Sequence, residues 1–212
     1  MSFRPQIGRL VVISDTTIQW RFNHEQLAEL ACAGGATVIQ LRDKVLPNDE
    51  FARVGERVLA ICRAHNAQLI INDRVHVAKS VGADGVHVGR GDMTVQDARV
   101  VMGSLAVVGT SAANADEAQL AHRAGADYVG VGHVFVTTSK HKEGSPIGLE
   151  TLADACRNTS RPVIAIGGIN AENAAGVMQA GAHGIAVISA VCAADDPRAA
   201  TARLREIVDA NA

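Results

Sequence analysis

The chain has 212 residues, 48% apolar and 20% charged, a balance that fits a folded globular protein and excludes disorder and collagen-like structure. Its 20 basic and 22 acidic residues leave a formal charge of -2, so no bulk positive field draws it to nucleic acid or anionic lipid, and any anion site must be local. Aromatic residues are only 3%, so Val, Ile, Leu and Ala must build the core, which favours close-packed layers of sheet and helix.

Residues 1–8 carry no apolar signal core, and the longest near-apolar run, 184–194, falls short of the roughly 20 residues a bilayer span needs; a soluble, cytoplasmic protein is expected. Short β-rich runs then recur at 10–13, 37–41, 69–71, 85–88, 106–108, 128–131, 163–166 and 185–188. Between them lie amphipathic stretches, such as the stripe Phe51, Val54, Val58, Ile61 and Cys62, and the segments 75–81, 94–102 and 115–124. Gly34, Gly82, Gly125 and Gly181 each follow a helical pattern and precede a β-rich run, where a left-handed helix cap is expected. Cys32, Cys62, Cys156 and Cys192 form no C-x-x-C pair and read as reduced thiols. No Pro/Ser-rich linker interrupts the chain. Strict alternation of strand and helix predicts parallel strands, and eight units close as an α/β fold of the TIM type, a (β/α)8 barrel forming a single domain over 1–212. An open doubly wound sheet is the second choice.

Polar clusters follow the strands at their C-terminal ends: Gln40 to Lys44, Asn72 to Arg74, Gly89 to Asp92, Gly109 to Ser111, Thr137 to Lys140, Gly167-Gly168 and Ser189. In a barrel these loops share one rim, the one where such folds place their active sites. Gly167-Gly168, with a short helix expected from Asn170 or Ala171, and Ile188-Ser189 after the last strand suit a phosphate group, although a Gly-Gly pair after a strand is also an ordinary turn. Asp73 and Asp92 on neighbouring loops, with substrate phosphate oxygens and water, suit Mg²⁺; each also stands where it could cap a helix. Arg42, Lys44 and Lys140 supply cations on the same rim. Among eight histidines, His133 opens the loop after strand six and is the one candidate acid/base, while His24 reads as a surface or cap residue and His87 as barrel filling.

Taken in order, Gln40-Leu41-Arg42-Asp43-Lys44, Asn72-Asp73-Arg74, the run from Gly82 to Gly89 with Asp92, Ser111, the run from Ala126 to Gly132, Thr137 to Lys140, Gly148-Leu149-Glu150, Ala165 to Ile169 and Ile188-Ser189-Ala190 resemble the thiamine phosphate synthase family. The resemblance implies a barrel enzyme that joins an aminopyrimidine methyl diphosphate to a thiazole phosphate, giving thiamine phosphate and diphosphate, with the diphosphate leaving first. It implies Gln40, Leu41, Arg42, Asp43, Lys44, Asn72, Ser111 and Lys140 at the pyrimidine diphosphate. Arg42, Lys44, Ser111 and Lys140 would serve catalysis, and Asp73 and Asp92 would hold Mg²⁺. Thr137, Thr138, Ser139, Gly168, Ile188 and Ser189 would hold the thiazole phosphate. Small-molecule substrates are implied as the only partners, with self-association left open.

The chain departs from the family pattern in four places. Val136 replaces a proline, Ser139 replaces a threonine but keeps its hydroxyl, Arg90 replaces a glutamine and adds positive charge beside the expected diphosphate, and His133 stands where proline is common. Gly132-His133-Val134-Phe135 also resembles the related thiazole tautomerases, which use that histidine for proton transfer but typically lose the aspartates present here. A non-catalytic barrel that binds a phosphorylated ligand is the third alternative; turnover separates it from the other two.

Overall fold

The expected β-rich runs form eight parallel strands in the computed structural model, which describes residues 6–137 and 145–211. They are β1 (Leu10–Ser14), β2 (Val38–Leu41), β3 (Gln68–Asn72), β4 (Gly85–Val88), β5 (Val107–Ala112), β6 (Tyr128–Val131), β7 (Val163–Ile166) and β8 (Gly184–Val187). Each pairs with the next, and β1 pairs with β8 through Leu10 with Ile185 and Val12 with Val187, so the sheet closes as a barrel. The helices are α1 (His24–Ala33), α2 (Asn48–Ala64), α3 (Val75–Val81), α4 (Val95–Met102), α5 (Ala115–Arg123), α6 (Gly148–Asn158), α7 (Ala174–Gln179), α8 (Ser189–Cys192) and α9 (Pro197–Ala210). None of them is long and apolar enough to cross a membrane.

Alternation along the strands sorts side chains into two apolar layers. Val11, Ile13, Val38, Ile70, Val107, Tyr128 and Ile164 cluster inside the barrel. Leu10, Val12, Ile39, Leu69 and Ile71 point outward and belong with Phe51, Val58, Leu152 and Leu204 of the helices to a second, larger cluster. Phe51 is fully buried there, and truncating such a side chain to alanine costs about 3–5 kcal/mol. Helix starts are set locally. Asn23 and Gln26 form a reciprocal capping box on α1, Thr94 caps α4, Asn114 caps α5, and Asp196 precedes Pro197 at the start of α9.

Three details differ from the sequence reading. β5 runs on through Gly109, Thr110 and Ser111, which look like loop residues. Gly109 pairs with His87 and Tyr128 on the flanking strands, and it is a glycine because the Tyr128 ring fills the space a Cβ would need. At the first helix-to-strand turn the left-handed residue is Gly35, at φ 95°, while Gly34 caps α1 at φ -85°. The helix after β7 starts only at Ala174. The Asn170 side chain accepts from the Glu172 amide and the Asn173 side chain from the Asn170 amide, a local turn that competes with helix. Trp20, the only tryptophan, lies in the loop after β1 and is 92% exposed.

Candidate active site at the strand ends

The inward positions of several strands continue upward into a cavity of about 220 Å³. Its floor is apolar, with Val11, Ile13, Ile164, Ile166 and Ala186, and its polar wall comes from Gln40, Arg42, Lys44, Asn72, Asp73, Asp92 and Ser111. Residues drawn from four different strand ends thus face one another, although they span some seventy positions of the chain. An apolar floor with a few convergent polar groups is what a small-molecule site requires.

The cations are held in place. Arg42 pairs through Nη1 with Asp15, a pair with side-chain exposures of 12% and 1%, so removing one partner strands a buried charge at a cost of about 3–5 kcal/mol. Lys44 pairs with Asp73, but its side chain is half exposed, and that pair contributes little to stability.

Neither aspartate serves as a helix cap. The residue capping α3 is Arg74, with no side-chain bond, and Thr94 caps α4. Asp73 instead adopts φ 64°, a left-handed conformation uncommon for a residue with a side chain, at the point where its carboxylate lines the cavity. Asp92 accepts from the Gly89 amide at 2.8 Å and lines the cavity too. Among the described residues no cluster of three or more His, Cys, Asp or Glu forms a protein metal cage. Two hard carboxylates on one cavity wall, with open space beside them, fit a magnesium ion that takes its remaining ligands from phosphate oxygens and water.

Two residues of the expected pyrimidine site do not line the cavity. Leu41 is fully buried and faces outward into the cluster beneath the helices. Asp43 uses one carboxylate oxygen on the Val45 and Leu46 amides, both at 2.7 Å, and the other on His24 Nε2 at 3.1 Å. Burial pushes the Asp43 carboxyl up, but the bonds from Leu46, Val45 and His24 outweigh it and hold the group below its ordinary value. Arg90 likewise turns outward, 68% exposed, with Glu117 at 3.7 Å; the extra charge is not in the cavity wall.

On the far side of the rim, Ile188 lines the cavity, and Ser189 opens the four-residue helix α8 beside it. This short helix after the last strand, rather than the one after β7, occupies the usual place of a barrel phosphate site. Gly167 and Gly168, at φ 102° and 65°, bring the β7 turn against the loop after β6, where Phe135 N donates to Gly167 O and Val134 N to Ile166 O. Side chains at these two glycines would strike His133, Phe135 and Val136. Thr137 is half-buried in that loop. Thr138, Ser139 and Lys140 lie outside the described residues. His133 is 8% exposed, packs under Gly167 and is not part of the cavity wall.

Sequence reasoning missed four residues. His87 lines the cavity and bonds Tyr128 Oη through Nδ1 and Ser111 Oγ through Nε2, each at 2.9 Å. Burial pushes the Tyr128 phenol well up, against the opposing influence of the Gln40 side chain, so the hydroxyl stays protonated at neutral pH. Tyr128, His87 and Ser111 thus form one polar chain across the barrel, and Gln40 lines the same cavity. Their inward register, at alternate positions of β2, β6, β4 and β5, is the signal that could have found them. His24 is no surface residue: it is 4% exposed, with Nδ1 2.6 Å from Ser14 Oγ. Asp15, the fourth, is fully buried.

A parallel barrel with cations, paired carboxylates and a polar chain at its C-terminal rim defines an enzyme built for a phosphorylated small molecule. Residues 10–191 match the family described as thiamine monophosphate synthase, and the chain belongs to that family. It is 48% identical over 183 residues to the thiamine-phosphate synthase of Moorella thermoacetica, covering 86% of this chain and 87% of that one. To the thiamine-phosphate synthase of Roseiflexus sp. strain RS-1 it is 45% identical over 201 residues, covering 95% and 85%. The solved thiamine phosphate pyrophosphorylase of Pyrococcus furiosus superposes with TM-score 0.88 at 39% identity, covering 96% of each chain.

Proposed function

We propose that the protein condenses 4-amino-2-methyl-5-(diphosphooxymethyl)pyrimidine with a thiazole phosphate, releasing diphosphate and thiamine phosphate. The observation that carries this reading is the convergence of Gln40, Arg42, Lys44, Asn72, Asp73, Asp92 and Ser111 on one cavity. Asp73 and Asp92 would hold Mg²⁺, which when bound supplies Lewis-acid stabilisation of charge on the leaving diphosphate. Arg42 and Lys44 add positive charge on the same side, preorganised by Asp15 and Asp73 before any substrate arrives. Asn72 donates from its buried amide, and Gln40 and Ser111 orient the pyrimidine from the cavity wall. The apolar floor of Ile13, Ile164 and Ile166 keeps water from the reacting carbon. Ile188, Ser189, Gly168, Thr137 and, beyond the described residues, Thr138 and Ser139 take the thiazole phosphate. Lys140 belongs to the diphosphate side in the same reading. No side chain needs to act as a nucleophile; holding two substrates in line supplies much of the acceleration. The same reading puts the protein in the cytoplasm.

The test is an assay with both substrates, with and without Mg²⁺, followed for thiamine phosphate and diphosphate. Magnesium-dependent appearance of both products is expected, with Asp73→Ala lowering turnover at least about a hundredfold. Full activity of Asp73→Ala would remove the metal from the reading. No observation favours tautomerisation, since His133 does not reach the cavity wall.

A further inference from the structure

Two consecutive residues at the end of β1 are tied to two consecutive residues just past β2. Asp15 pairs with Arg42, while Ser14 reaches Asp43 through the buried imidazole of His24. The Arg42 amide also donates to Ser14 O at 3.2 Å, extending the strand pairing by one step. This double attachment is costly to bury, since four of its five members are polar groups less than 9% exposed. What it does is fix a guanidinium. Asp15 takes Nη1 of Arg42, Arg42 Nε has no acceptor among the described residues, and the side chain lines the cavity with donor capacity unspent. Asp15 is in turn fixed, its other carboxylate oxygen accepting from the Thr17 amide at 3.0 Å and the Thr17 hydroxyl at 2.6 Å.

We propose that Asp15 is a positioning residue for the diphosphate: it holds Arg42 in its binding orientation, while Ser14, His24 and Asp43 hold the same loop from behind. A flexible arginine would lose rotamer freedom on binding; one already clamped at one nitrogen does not, and the substrate gains that difference. The proposal rests on the reading that Arg42 contacts the diphosphate and adds that its geometry is set from β1.

A double-mutant cycle tests it, using wild type, Asp15→Ala, Arg42→Gln and the double variant, each confirmed folded by circular dichroism. The readouts are KM for both substrates and Kd for inorganic diphosphate by calorimetry. Each single change is expected to raise the pyrimidine diphosphate KM and the diphosphate Kd about tenfold to a hundredfold, with the thiazole phosphate KM within about twofold. The double variant is expected to be no worse than Arg42→Gln, because Asp15 acts through Arg42. Additive losses, or equal changes in both KM values, would overturn the proposal. An inert Arg42→Gln would show instead that the reading of Arg42 is wrong. If Asp15→Ala fails to fold, Asp15→Asn keeps the shape and the acceptor for Thr17 while removing the charge, and the same split between substrates is expected in smaller measure.

Discussion

His87 Nε2 and Ser111 Oγ lie 2.9 Å apart across the seam between β4 and β5. The other ring nitrogen is occupied by the Tyr128 hydroxyl, so the imidazole is held at both ends and fixes where the serine hydroxyl points. His87→Phe fills the same space without either bond and leaves Ser111 unpartnered from below. A loss of about 1–3 kcal/mol in transition-state binding is expected, a drop in kcat/KM of roughly 5-fold to 150-fold. Steady-state kinetics with both substrates would show it, and unchanged kcat/KM would mean that Ser111 needs no such support.

The missing side chain of Gly109 leaves room for the Tyr128 ring inside the barrel. Gly109→Ala drives a methyl into that ring, and because both groups sit on strands neither can withdraw cheaply. A destabilisation of about 1–3 kcal/mol or more is expected, lowering the melting temperature by roughly 2–12 °C. Thermal denaturation followed by circular dichroism measures it; a melting temperature within a degree of wild type would contradict the packing described for Tyr128.

Burial pushes the Cys192 thiol up from 9.0 to about 11. A folded-state value above the unfolded one means that this stability is complete below pH 9 and is lost as pH rises towards 11, because the unfolded chain releases the proton first. The loss from this group is up to about 3 kcal/mol. Melting temperatures taken across that alkaline range should fall, and Cys192→Ala should fall less steeply. Parallel curves for the two proteins would exclude the cysteine as a cause.

Arg90→Gln serves as the contrasting case. The side chain is mostly exposed, loosely placed beside Glu117 and outside the cavity wall, so stability should change by less than about 0.5 kcal/mol and both KM values should hold. A KM shift confined to the pyrimidine diphosphate would show that the charge acts at a distance.

The barrel was legible in the sequence because each strand-helix unit repeats the same local signals, and closure follows from their number. Asp73, Asp92, Arg42 and Lys44 were legible because polar residues after strands gather at one rim. The end of β5 was not: Thr110 and Ser111 have loop chemistry, and their place in a strand comes from pairing with Val129 and Gly130 of the next strand. His87 between two valines reads as filler until the register places Ser111 and Tyr128 beside it. Asp43 looked like a fifth member of a binding cluster because its neighbours belong to one; only the fold shows that its oxygens serve the loop and His24. Ser14, His24 and Asp43 have no spacing that announces a partnership, since long-range hydrogen bonds are written in three dimensions alone.

Trp20 has a practical consequence for anyone who studies this protein in solution. An indole that is 92% exposed already emits as if in water, so unfolding brings little of the red shift on which fluorescence melts depend. The same indole stands in the loop after β1, a few residues from Asp15. It is therefore a reporter of the rim rather than of the core: a natural optical probe whose intensity should follow events at the strand ends while the barrel beneath stays dark to it.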